Sequence, residues 1–129
     1  MTLGDAYTCG ETQHGRRTII PITGGTFEGP NIKGTIISGG ADYQIANTAI
    51  NRTELEAIYC IKTDDGVYIH IRNCGLITMG PSGFYFRTAP KFEAPQDSKY
   101  AWLNNAIFVC MPGPGDGTGA IVLRVWKVL

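Results

Sequence analysis

Apolar residues in this chain recur at every second position, in short runs, and not at the spacing of a helix. The longest such stretch is 53–73. Leu55, Ala57, Tyr59 and Ile61 alternate with Glu54, Glu56, Ile58 and Lys62, and then Val67, Ile69 and Ile71 alternate with Tyr68, His70 and Arg72. Asp64-Asp65-Gly66 separates the two halves and supplies what a tight turn wants, since glycine accepts positive φ. The pattern predicts a β-hairpin. Further strands are expected near 17–22, 32–38, 41–46, 82–88, 105–111 and 119–128, with 113–117 (Gly-Pro-Gly-Asp-Gly) a loop before the last of them. No stretch of ten or more residues carries a 3.6-residue period with caps, so little helix is expected. Thr18 to Gly25 and Thr35 to Gly40 each end in a hydroxyl residue and a glycine pair, which is strand-and-turn grammar and not a repeat.

About eight short strands with turns every eight to twelve residues fit a sandwich or a closed barrel. Closure removes exposed edges, so a single antiparallel β-barrel is the expectation. Residues 1–129 are too few for two cores and are read as one barrel domain, with 1–15 a loosely ordered N-terminal segment.

Composition narrows the partners. Eleven basic and eleven acidic residues cancel and form no basic stripe, which argues against nucleic acid. No apolar run reaches the roughly 18 residues of a membrane-spanning helix. Met1 to Ala6 has neither the basic nor the apolar part of a secretory signal, so a cytoplasmic location is expected, with Cys9, Cys60, Cys74 and Cys110 as free thiols. The two histidines stand 56 positions apart with no cysteine or carboxylate at ligand spacing, so no metal is expected. Gly-x-Ser-x-Gly is absent, and the glycine pairs precede strands and not helices, so neither a nucleophile elbow nor a dinucleotide site is indicated.

Several segments together carry a family resemblance: Arg17 to Pro30 (Arg-Thr-Ile-Ile-Pro-Ile-Thr-Gly-Gly-Thr-Phe-Glu-Gly-Pro), Gly34, Ser38-Gly-Gly-Ala-Asp42, Thr63-Asp-Asp-Gly66, Arg72-Asn73, Phe84 to Thr88, Pro90, Phe92-Glu93 and Tyr100 to Asn104. In this order they resemble the small β-barrel family known as domain of unknown function 3237. The resemblance implies an all-β, calycin or lipocalin-like barrel, often a homo-oligomer, with no metal or organic cofactor. It also implies cofactor-free isomerisation or cyclisation of a phenolic or enone-bearing metabolite, a ring closure like that of chalcone isomerase being one example. Two departures stand out. Typical members carry an extra strand before the Gly-Arg region, and they often place Arg where this chain has Ile58. If that Arg meets a ligand carboxylate, the substrate here is less acidic.

The residues able to handle protons are few. An imidazole can take or give a proton near neutral pH, which makes His70 a candidate, and Tyr68 and Arg72 share its strand face. The trio either lines a pocket or is solvated while Val67, Ile69 and Ile71 pack inward. Asp42, after Gly39-Gly40, is a candidate base if buried, or else a turn-capping carboxylate. Lys33, at a strand start, is a candidate base or oxyanion partner, or else solvated. His70, Asp42 and Lys33 form the expected catalytic set. Substrate contacts are expected from His14 at a pocket mouth, Tyr68, Arg72, Arg87, Trp102 by stacking and Asn104 by orienting a ketone; each also has a plain packing or surface role. The expected partner is an aromatic or enone small molecule, and the alternative function is a barrel that binds an apolar molecule without changing it.

Overall fold

A computed structural model of the chain describes residues 1–115 and 120–129. It is all-β: eleven antiparallel strands form one curled sheet, with two short 3-10 turns at Thr48–Ile50 and Ala101–Asn105. The strands are β1 Thr2–Leu3, β2 Tyr7–Thr12, β3 Gly15–Gly24, β4 Thr26–Gly29, β5 Ile32–Ile36, β6 Gly40–Asn47, β7 Arg52–Thr63, β8 Tyr68–Gly80, β9 Gly83–Glu93, β10 Ile107–Pro114 and β11 Ile121–Val128. The main order is β1-β3-β6-β7-β8-β9-β10-β11; β2 flanks β3, and the β4–β5 ribbon joins through β5 to β7. Of the predicted loop at 113–117, Asp116 and Gly117 lie outside the described residues. So does Gly119, where the last predicted strand began. Gly113 and Pro114 extend β10.

The predicted hairpin is β7–β8, whose ladder pairs eleven positions. Its turn is fixed by Thr63, whose amide donates to the Val67 carbonyl at 2.9 Å and whose hydroxyl accepts from the Val67 amide at 2.9 Å. Gly66 takes φ +89°, the value the turn needs. Because strand side chains alternate between faces, this register buries Leu55, Ala57, Tyr59, Ile61, Ile69 and Ile71 on the concave side.

Two differences from the sequence reading have physical causes. Residues 1–15 are not loose: β1 and β2 both pair with β3. They escaped notice because β2 is exposed along most of its length and shows no alternation. The strands predicted at 66–73 and 82–88 run on to Gly80 and back from Gly83, so no separate connection exists beyond a two-residue turn at 81–82. Gly75, which hid this strand, is required there, since a Cβ would strike the Arg87 carbonyl and the Thr88 side chain of β9. The ends of the strand order meet where the Ile121 amide donates to the Met1 carbonyl at 2.9 Å and the Met1 amino group donates to the Ile121 carbonyl at 3.0 Å, which draws the sheet into a barrel.

Residues 94–106 plug the barrel end at which β7 turns into β8. Ala94, Tyr100 and Leu103 are buried against Phe108 and the concave isoleucines. The plug is tied down by the Tyr100 hydroxyl, which donates to Asp65 Oδ1 at 2.6 Å, with Lys99 Nζ 3.5 Å from the other carboxylate oxygen. Hydrogen bonds from Thr63 and then Tyr100 hold the Asp65 carboxyl down at about 2.

A carboxyl depressed by folding contributes stability above its ordinary value of 3.8, and that contribution is lost as pH falls toward about 2. Tyr100→Phe should therefore lower the melting temperature at pH 7, and the gap to the parent should close between about pH 4 and pH 2. Thermal melts across that range test this; a gap independent of pH would rule out the Tyr100–Asp65 bond as the cause.

Candidate functional site

The sheet curls around a cavity of about 720 Å³, a size that suits a small organic ligand. Its walls come from β7 (Tyr59, Ile61), β8 (Ile71, Asn73), β9 (Pro90, Phe92), the β4–β5 ribbon and β11. Phe27, Ile36, Leu123 and Val125 make most of the remaining wall apolar. Three charged residues share the lining, Glu28 and Lys33 from the ribbon and Asp64 from the β7–β8 turn. Glu28 lies opposite Lys33 in the ribbon register, and the Asp64 amide donates to the Lys33 carbonyl at 2.9 Å. The ribbon approaches β7 this closely because residue 34 is glycine; a Cβ there would run into the Lys62 carbonyl.

Two polar side chains sit deeper. Tyr59 is 7% exposed and Asn73 3%. Burial, with the neighbouring Cys110 as a lesser cause, pushes the Tyr59 hydroxyl up, so it stays a neutral donor and acceptor. Burial also raises the Cys110 thiol, and the neighbouring Thr88 and Asn73 side chains offset part of that. Cys110 therefore remains a thiol, and the four cysteines are all unpaired. Asn73 Oδ1, Thr88 Oγ1 and Asp42 Oδ1 are buried without hydrogen-bond partners. Leaving such an atom unmade costs about 1–3 kcal/mol each.

The expected site residues divide sharply. Lys33 lines the cavity. Asp42 stands on the concave face, opposite Ala57 of β7 and Ile20 of β3, but outside the cavity lining. Its Oδ2 accepts from Gln44 at 2.9 Å. Burial raises its carboxyl, and the Gln44 bond offsets part of that. The trio is a correction. Tyr68, His70 and Arg72 face outward, because Ile69, Ile71 and Asn73 hold the concave positions of β8. His70 Nδ1 lies 4.0 Å from Glu93, and Arg72 Nε donates to Glu56 at 2.8 Å, both on the exterior. Ile58 lies opposite Arg72 and also faces out, so its identity says nothing about a cavity ligand's charge.

The remaining contacts are corrected in the same way. Arg87 faces outward opposite Leu76, donates to the Phe86 carbonyl at 2.7 Å and covers the Tyr85 ring. His14 sits exposed in the β2–β3 turn, at the Gly15 end of β3, whereas the cavity lies at its Gly24 end beside Met1 and Ile36. Trp102, 41% exposed, stacks at the plug under Lys127 and against Phe108. Asn104 is fully engaged, donating to the Ala94 carbonyl at 2.9 Å and accepting from the Ala94 amide at 2.7 Å. Tyr59, Asn73 and Asp64 were the residues missed as site groups. The alternation itself would have found the first two, had it been run through the polar position Asn73.

A small antiparallel barrel with a ligand-sized cavity is the class that this fold and site define. The chain belongs to the family described as protein of unknown function (DUF3237), whose profile matches residues 1–128. It is 40% identical over 110 residues to a UPF0311 protein of Clostridium acetobutylicum, covering 74% of this chain and 68% of that one. The crystal structure of a protein of unknown function from that organism superposes with a TM-score of 0.88 at 35% identity, covering 99% of this chain and 92% of that one. A β-barrel-like protein of Acinetobacter baumannii superposes with a TM-score of 0.85 at 28% identity, over 96% and 86% of the two chains. A hydroalkoxylation enzyme of Penicillium herquei is 30% identical over 105 residues, 81% of this chain and 63% of its own. The crystal structure of an enzyme from the same fungus matches with a TM-score of 0.75 at 27% identity, covering 98% and 85%. No helix among the described residues is long and apolar enough to cross a membrane.

Asn104→Ala should cost about 1–3 kcal/mol of stability, the range for losing buried hydrogen-bonded groups, and leave the cavity's affinity for any ligand unchanged. Denaturant unfolding beside a binding titration separates the two effects. A loss of affinity without a loss of stability would return Asn104 to the site.

Proposed function

We propose that this chain is a cofactor-independent isomerase or cyclase acting on a phenolic or enone-bearing small molecule held in the barrel cavity. The observation that carries this reading is the cavity itself: an apolar hollow with Lys33, Asp64, Tyr59 and Asn73 on its wall. Similarity to a hydroalkoxylation enzyme supports it, because adding a hydroxyl across a carbon–carbon double bond is the same class of step.

In that step a substrate hydroxyl gives its proton to a base. Its oxygen then bonds to the far carbon of the enone, the pair of the carbon–carbon double bond shifts between the alpha carbon and the carbonyl carbon, and the carbonyl π pair moves onto its oxygen to give an enolate. The carbon beside the carbonyl finally takes a proton, so the product is an isomer of the substrate. Asp64 and Lys33 at the cavity wall suit the proton transfers, Lys33 also as a cation for the developing oxyanion. The Tyr59 hydroxyl can donate to the same oxygen from deeper in the wall. Asp42, its carboxyl raised by burial, is a further candidate base from the same concave face. Enclosure holds the reacting ends together, an effect worth up to ~7–11 kcal/mol in favourable cases.

The same proposal makes the protein a cytoplasmic homo-oligomer. The exposed Ile107, Val109, Trp126 and Val128 on the β10–β11 hairpin support assembly.

Lys33→Ala and Tyr59→Phe should each slow ring closure of a hydroxyl-bearing enone, ortho-hydroxychalcone being the first probe, by about 100-fold or more. Asp42→Asn reports whether that carboxyl is the base. His70→Ala, Arg72→Ala and Arg87→Ala should stay within about twofold, since all three face outward. Full turnover in Lys33→Ala, Tyr59→Phe and Asp42→Asn together would sink the assignment. A ligand that is retained but never converted would favour the simple binding barrel.

A further inference from the structure

The three unpartnered oxygens are not scattered. Asp42 lies opposite Ala57, and Ala57 lies opposite Asn73, so the three form one cross-strand row on the concave face. Thr88 belongs to the next row, opposite Gly75, which stands two residues from Asn73 on β8. The residues between these oxygens are thus an alanine and a glycine, the two smallest side chains available. Asn73 is the member through which the patch meets the cavity, since it alone of the three is part of the lining. The register partners of these rows, Ile20, Ala57, Pro90, Gln44, Leu55 and Cys110, bring no cation to the patch.

The chemistry of this patch is one-sided. An amide oxygen and a carboxyl oxygen accept hydrogen bonds, and a threonine hydroxyl can accept as well. A group with hydrogens to give would satisfy them, whereas an anion would meet the Asp42 carboxyl with no positive charge to offset it. An ether oxygen would bring nothing to donate.

We infer that the inner end of the cavity is a subsite for the hydroxyl-bearing end of a neutral aromatic ring, which donates to Asn73 Oδ1, the one unpartnered oxygen whose residue lines the hollow. This rests on the enzyme reading above and adds the substrate's polarity and orientation: the hydroxylated ring goes in first, and the reacting enone stays near Lys33 and Asp64.

The test uses the full chain and needs no turnover. Calorimetric titration compares resorcinol, its dimethyl ether and the corresponding dihydroxybenzoate. Resorcinol should bind about tenfold tighter than the ether, the scale of one or two well-made hydrogen bonds, and the benzoate more weakly than resorcinol. Asn73→Leu should erase the preference for resorcinol and leave the ether within about twofold. Circular dichroism confirms that the variant folds. Equal affinity for resorcinol and its ether would overturn the subsite and mean that buried water satisfies these oxygens. So would the absence of binding by either, or a preference that survives Asn73→Leu. A protein that selects resorcinol but converts no enone would keep the subsite while removing the enzyme reading.

Discussion

A strand can offer only alternate side chains to one side of a sheet, and the Thr63–Val67 turn sets which alternate set β7 and β8 offer. Shifting that register by one residue would exchange Tyr59, Ile61, Ile71 and Asn73 for Ile58, Lys62, Arg72 and His70, and the cavity would become a charged, hydrated groove. Every statement about the site follows from this parity. The turn's two reciprocal bonds between Thr63 and Val67, with Gly66 at positive φ, keep it in place. Tyr100 and Lys99 then anchor the plug to the same turn through Asp65, so the element that fixes parity also closes one end of the barrel.

Much of the frame was legible because β7 and the first half of β8 are half-buried strands, the case in which alternation is cleanest. The eight strands read from the sequence correspond to β3, β5, β6, β7, β8, β9, β10 and β11. The three that were missed, β1, β2 and β4, are short or exposed and bury too little to print a pattern. The site was less legible for a different reason. Chemistry-bearing residues draw the eye, but on β8 the conspicuous ones, His70 and Arg72, occupy the solvent side and pair with Glu93 and Glu56. Asn73, a quiet polar residue in an otherwise apolar set, is the one the fold turns inward. Asn104 illustrates the other limit. An amide that can orient a ketone can equally clamp a backbone, and only the position of Ala94 decides between them.

The interior is tuned by small residues as much as by polar ones. Gly34 lets the ribbon lie against β7, and Gly40 leaves space for Tyr59, whose Cβ a side chain at residue 40 would meet. These close approaches keep Lys33 and Tyr59 on a common hollow although they come from different parts of the sheet. Burial then sets the protonation state of the deep groups, holding Tyr59 and Cys110 neutral and moving the Asp42 carboxyl upward. The cavity is thus graded, with formal charge near Lys33 and Asp64 and neutral hydrogen-bonding groups deeper in the wall.

The wall is also uneven around its circumference. β7 and β8 are zipped along eleven paired positions, whereas β1 and β11 meet at the reciprocal bonds of Met1 and Ile121. Local opening follows thin lines of backbone hydrogen bonds, and this seam is one of them. That seam borders the hollow, since Met1, Val122 and Leu123 all line it. Parting it would admit a rigid ring system sideways, with the hairpin that carries Tyr59 and Asn73 left undisturbed.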